Sequence, residues 1–162
     1  MRWLALSLLI ASSAAIAAES ATFTTKSLTP EAALKAAQAA LAQCRADGFQ
    51  VAVAVVDRSG ITQVLLRDRF AGAHTVDLAT NKAWSAASFK VSTAEFERVT
   101  RPNEVMAGLR HVPRAAAVGG GLLVEAGGSI LGGIGVSGAP GGANDEACAK
   151  AGLKAIADDL EF

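Results

Sequence analysis

The side chains able to do chemistry here are few. The chain holds two histidines, His74 and His111, two cysteines, Cys44 and Cys148, and no tyrosine. Met106 is its one methionine besides the initiator. Near the C-terminus, Gly133-Ile134-Gly135-Val136-Ser137-Gly138 fits the dinucleotide pattern G-x-G-x-x-G, and Asp145-Glu146 follow. A dinucleotide site also needs a helix opening within the glycines and a second parallel strand carrying an acid. The helix expected here starts well after Gly138, and the chain stops at Phe162. The context excludes a nucleotide loop, and no phosphate-binding G-x-x-x-x-G-K-[ST] occurs.

Other familiar chemistries also fail on spacing. Gly135-Val136-Ser137-Gly138 lacks the frame of a nucleophile elbow. Two histidines without H-x-x-x-H or C-x-x-C do not make a dedicated zinc site. Asp145 and Glu146, adjacent on a helix, diverge by about 100° and read best as first-turn acids facing the positive helix end. Glycine bulk is absent at Gly132, Gly133 and Gly135, which suits a bulge, sheet packing, or close approach of a ligand or another backbone. Lys82 is expected either to lay its stem on a sheet edge with its charge in water or to meet a ligand anion. His74 reads first as a helix-capping or plain surface histidine and His111 as a structural loop residue, though either imidazole could ligate a metal. Arg110 and Arg114 flank His111 and could fork onto carboxylates or remain solvated.

These residues need elements to hold them. Thr29-Pro30-Glu31 opens a helix by capping, by proline at the first position and by an acid at the positive end. Leu34, Ala37, Leu41 and Cys44 recur at helical spacing, and Asp47-Gly48 ends the run. Phe49–Asp57 and Ile61–Arg67 are valine- and leucine-rich strands about a short turn, a hairpin. His74 falls in the loop that follows, with Thr75 capping a helix to about Phe89 whose packing face is Val76, Ala79, Ala83 and Ala87. Ser92-Thr93-Ala94-Glu95 is a capping box for a short helix, and another covers Glu104 to Leu109. His111 to Arg114 reads as irregular. Leu122–Glu125 and Ser129–Val136 form a second hairpin about Gly127-Gly128, and Asn144 or Asp145 caps a last helix over about 145–159. Strands joined by tight turns are antiparallel. The fold class is therefore α+β, an antiparallel sheet of about four to five strands flanked by helices.

Arg2, the apolar run Leu4–Ile10 and Ala15-Ile16-Ala17 read as a cleaved signal peptide over residues 1–17. A short lead, 18–27, and a single domain, 28–162, follow. The mature protein is then expected to be periplasmic or secreted, with no membrane span. Cleavage removes Arg2 alone from 15 basic residues against 15 acidic ones, a near-neutral balance that does not favour nucleic acid. In an oxidising compartment Cys44 and Cys148 could pair if the first and last helices pack antiparallel, or stay separate as small buried hydrophobes.

The segment "ILGGIGVSGAPGGANDEACAKAG" resembles the C-terminal signature of the GlcG/HbpS-like family, also called the haem-degrading family. "AVAVVDRSGITQVLLRDRFAGAHTVDLATNKAWSAASF" resembles its N-terminal half, with Lys82-Ala83-Trp84-Ser85-Ala86 matching K-A-x-(T/S)-A. The likeness runs over about Leu28 to Leu160. It implies a profilin-like α/β/α arrangement, a homo-oligomer and, in the exported branch, haem or a related tetrapyrrole as ligand. It assigns no haem ligand to a position of this chain, so His74 and His111 as possible haem-iron ligands, Arg110 and Arg114 as possible propionate partners, and Lys82, Gly133 and Gly135 stand as binding candidates on chemistry alone. Any haem breakdown would be oxidation at the bound iron rather than the work of a dedicated catalytic residue. The alternatives are an enzyme or accessory subunit acting on a small organic acid or cofactor, as in glycolate- and cobalamin-associated relatives, and a structural assembly module.

Overall fold

The computed structural model describes residues 20–160. Residues 1–17, read from the sequence as a signal peptide, lie outside them. Four helices and four strands follow one another as α1 (Pro30–Ala46), β1 (Ala52–Asp57), β2 (Thr62–Arg67), α2 (His74–Phe89), α3 (Thr93–Val99), β3 (Gly121–Ala126), β4 (Ser129–Ser137) and α4 (Gly142–Ala155). Short 3-10 turns cover Ala107–His111 and Asp158–Leu160. The strands form one antiparallel sheet in the order β2-β1-β4-β3. The α+β class and the two hairpins are as the sequence indicates, with four strands. No helix among the described residues is long and apolar enough to cross a membrane.

The alternation within β1 sorts the layers. Val53 and Val55 face one side with α1, α4, Ile134 and Val136; Ala52, Ala54 and Val56 face α2 through Ala79, Ala83 and Ala87. Valines fill the space between the sheet and two helices, whereas alanines let a single helix lie close. Both faces of β1 are covered, so all its residues up to Val56 are buried. Cys44 on α1 and Cys148 on α4 form a disulfide, with Cα atoms 5.5 Å apart.

Several local expectations shift. Thr29 does cap α1, accepting from the Ala32 N–H. The buried face, however, is Ala33, Ala36, Ala37, Ala40, Leu41 and Cys44, and Leu34 points outward at 40% exposure. Small residues rather than the first leucine face the core because α4 packs so near. Helix α2 begins at His74, not after it, and Thr75 lies inside the first turn with its hydroxyl donating to Gly72 O. Ser92 caps α3 by accepting from the Glu95 N–H, while Glu95 turns to Arg98 instead of closing the box. The helix expected over 104–109 is a 3-10 turn that takes in His111. The last helix starts at Gly142, three residues early, and gives way to a turn at Ile156.

Candidate functional site

The glycine signature and Lys82 meet in the interior. Lys82 lies on the face of α2 that covers the sheet, and its ammonium reaches past β4 to the opening turn of α4. There Nζ is 2.7 Å from Asp145 Oδ2 and donates to Val136 O at 3.0 Å. The other Asp145 oxygen, Oδ1, accepts from the Ala139 N–H at 2.9 Å. The two side chains are 1% and 5% exposed. The expectation that Lys82 keeps its charge in water is therefore corrected, as is the reading of Asp145 as an ordinary first-turn acid. Glu146, next to it, does behave as a surface residue and pairs with Lys150. Burial pushes the Asp145 carboxyl above the usual carboxylate range, and Lys82 and the Ala139 N–H pull against that.

Glycines make room for this pair. A Cβ on Gly120 would sit 2.7 Å from Asp145 Cβ and 2.9 Å from Lys82 Nζ. One on Gly135 would lie 2.1 Å from Ala79 O, and one on Gly133 2.5 Å from Ala83 O. Gly119 and Gly142 touch backbone to backbone where the loop before β3 passes the start of α4. Of the uses open to Gly133 and Gly135, close approach of another backbone is the one realised: α2 fills the space a ligand would need. Lys82, Gly133 and Gly135 are consequently parts of a buried lock between layers rather than an open binding surface.

The histidines lie elsewhere and apart. His74 is exposed at the start of α2, its ring against Gly72, where an added Cβ would come within 2.7 Å of the imidazole Cε1. The loop before it is tightly braced. Buried Asp68 receives a two-pronged contact from Arg45, Nε to Oδ2 at 2.7 Å and Nη2 to Oδ1 at 2.9 Å. Asp68 Oδ1 also accepts from the Arg69 N–H, and the Asp68 N–H donates to Val51 O. Arg67 donates to Ala71 O, and Thr75 to Gly72 O. The Arg45 hydrogen bonds hold the Asp68 carboxyl down at about 2. On this rigid loop Phe70 stands 80% exposed, four residues before His74.

His111 ends the 3-10 turn, with Val105, Met106 and Val112 exposed in the same segment. Arg110 is turned inward, donating to Glu97 O and Thr100 Oγ1 with its Nε buried and unpartnered. Arg114 lies over the Trp84 ring at 5.0 Å, and its carbonyl accepts from Ser85 Oγ. That contact puts the His111 segment beside the Trp84–Ser85 turn of α2. His74 opens α2, whereas the His111 segment meets the same helix nearer its C-terminal end, through Arg114 at Trp84 and Ser85. Among the described residues, clefts of about 330, 230 and 350 Å³ are lined by neither histidine. Sequence reading missed the Asp145 partner of Lys82 and the Asp68 brace, because both pairings cross between elements distant in the chain. Phe70, a large apolar residue amid Arg67, Asp68 and Arg69, was the signal available for the second.

Comparison with known proteins completes the picture. The chain resembles a Streptomyces reticuli HbpS double mutant at 39% identity and a TM-score of 0.80, over 90% of this chain and 98% of that one. It resembles the protein of a PduOC:heme complex at 29% identity and a TM-score of 0.76, over 80% and 95%. A curated relative, an uncharacterized 15.0 kDa protein of the dhaT-dhaS intergenic region of Citrobacter freundii, is 34% identical over 113 residues, 68% of this chain and 80% of its own length. The model of the family described as haem degrading protein HbpS-like matches residues 28–154. With that match over most of its length, the chain belongs to the HbpS-like family.

Proposed function

We propose that this chain is an exported, homo-oligomeric protein that binds haem or a closely related tetrapyrrole, with His74 as the iron ligand. The observation that carries the reading is the full-domain likeness to a structure solved as a haem complex. Three features of the chain fit it. The His74 imidazole is exposed on a loop that Asp68 and Gly72 hold fixed, which is how a ligand is kept oriented. Phe70 offers an exposed aromatic face on the same loop, and Arg69 is an exposed cation for a propionate. The Cys44–Cys148 disulfide suits the oxidising compartment to which residues 1–17 would direct the chain.

A haem needs apolar cover on both faces, and Phe70 supplies one side at most. The second face comes from another copy of the chain, which makes haem binding and self-association one event. His111, in a segment that also exposes Val105, Met106 and Val112, is the second-ranked ligand; no buried ion pair like Arg45–Asp68 is seen in its segment. Bound iron would supply any oxidative chemistry on the ring, and the chain's own part is to hold and orient it. Hemin titrated into the mature protein should give a saturable Soret shift at a fixed ratio of haem to chain. A spectrum that stays that of free hemin at stoichiometric protein contradicts the proposal and turns attention to small-acid ligands.

A further inference from the structure

At the other end of α2 lies a cleft of about 230 Å³ between the turns of the two hairpins, lined by Arg58, Ala87, Lys90, Gly128, Ser129 and Ile130. Two cations and a hydroxyl line it, and no acid does. Arg58 is fixed there because its Nη1 donates to Ile130 O at 3.3 Å. Lys90 is held there more unusually. It terminates α2 in the left-handed conformation, φ 58° and ψ 37°, with its N–H donating to Ala86 O. Glycine is the usual residue at that position because a Cβ is strained there. A cation near a helix C-terminus is favourable on any of the last-turn positions, so the helix dipole does not explain why the lysine sits on the strained one. At that position Lys90 lines the cleft together with Gly128 and Ser129. The turn there, Gly127 and Gly128 at φ 54° and 72°, leaves Gly128 with nothing near its missing Cβ.

We infer that Arg58, Lys90 and Ser129 form a site for a small dianionic oxyanion, of the phosphate or dicarboxylate class. Arginine contributes a planar fork and lysine a movable point charge, the complementary pair for a compact dianion. The serine hydroxyl adds a donor. This site is independent of the haem reading: Lys90 and His74 close opposite ends of α2, about 24 Å apart at roughly 1.5 Å per residue.

Inorganic phosphate provides the first probe, titrated into 15N-labelled full-length mature protein at constant ionic strength set with chloride. Saturable amide shifts at Lys90, Gly128 and Ser129 are expected, with a dissociation constant of the order of 1 mM, a weak-ligand value. Malonate in a parallel titration separates the sources: saturation by both makes the site general for oxyanions, and saturation by phosphate alone makes it a phosphate site. The decisive variant is Lys90→Gly, which relieves the backbone and should fold at least as well as wild type while binding phosphate at least tenfold more weakly. Arg58→Gln should weaken it comparably. Shifts that do not saturate, that chloride reproduces, or that Lys90→Gly leaves intact would overturn the site.

Discussion

Replacing Lys82 with methionine removes the ammonium while keeping a stem of similar length. In wild type that ammonium neutralises Asp145 in a setting where the two side chains are 1% and 5% exposed. Removing one member of a buried pair costs about 3–5 kcal/mol, because the other is left charged without a partner. With about 1.4 kcal/mol per tenfold change in an equilibrium constant, the unfolding constant should rise by roughly two to three and a half orders of magnitude. The midpoint of thermal unfolding should fall by about 10–15 °C, at roughly 3 °C per kcal/mol for a domain of this size. The loss also has a pH signature. Burial already holds the Asp145 carboxyl above its unfolded value of 3.8, and without Lys82 it must bind a proton to stay buried. Such a raised group is most favourable below the unfolded value and loses its contribution as pH rises through the folded one. Lys82→Met should therefore lose further stability as pH rises above 3.8, by up to about 1.4 kcal/mol per unit, whereas Lys82→Met/Asp145→Asn should be nearly flat and more stable than Lys82→Met at pH 8. Urea unfolding with the disulfide intact measures all three. Lys82→Met within 1 kcal/mol of wild type, or sharing the double variant's pH profile, would refute the buried-lock account.

Other consequences follow from single contacts. Unfolded, unreduced protein should show no titratable thiols, since Cys44 and Cys148 are paired, and reducing a bridge that closes 104 residues should cost about 2–4 kcal/mol in urea unfolding. Asp68, held at about 2 against an ordinary 3.8 by Arg45, contributes stability that is complete above 3.8 and lost as pH falls through about 2; Asp68→Asn should remove that acid-side slope. Gly135→Ala places a Cβ 2.1 Å from Ala79 O and should destabilise by about 3 kcal/mol or prevent folding. Gly108→Ala, with nothing within 4 Å, should stay within about 0.5 kcal/mol.

Local grammar carried most of the fold. Thr29-Pro30-Glu31, Ser92, and the Gly127-Gly128 turn each act through neighbours a few residues away, so their effect can be read along the chain. The valine–alanine alternation of β1 even encodes which face meets two helices and which meets one. What failed was long-range. Lys82 has no useful acid on its own helix, and its partner lies 63 positions away. Nothing short of the sheet order β2-β1-β4-β3 would place the start of α4 over the end of β4. The G-x-G-x-x-G string illustrates the same limit. Its glycines answer to contacts on other elements: Gly133 and Gly135 to Ala83 O, Ala79 O and the Lys82 stem, Gly138 to Gln50 O and Val51. For the candidate ligands, sequence named His74 and His111, while the Arg45–Asp68 pair under one loop and the Arg114–Trp84 contact beside the other required coordinates.

The most direct test of the haem reading compares His74→Ala, His111→Ala and wild type in one hemin titration followed in the Soret band. The account predicts that wild type and His111→Ala give the same saturable band, and that His74→Ala loses the ligand-bound spectrum and binds at least tenfold more weakly. A His74→Ala protein that binds hemin with the wild-type spectrum and affinity would contradict it.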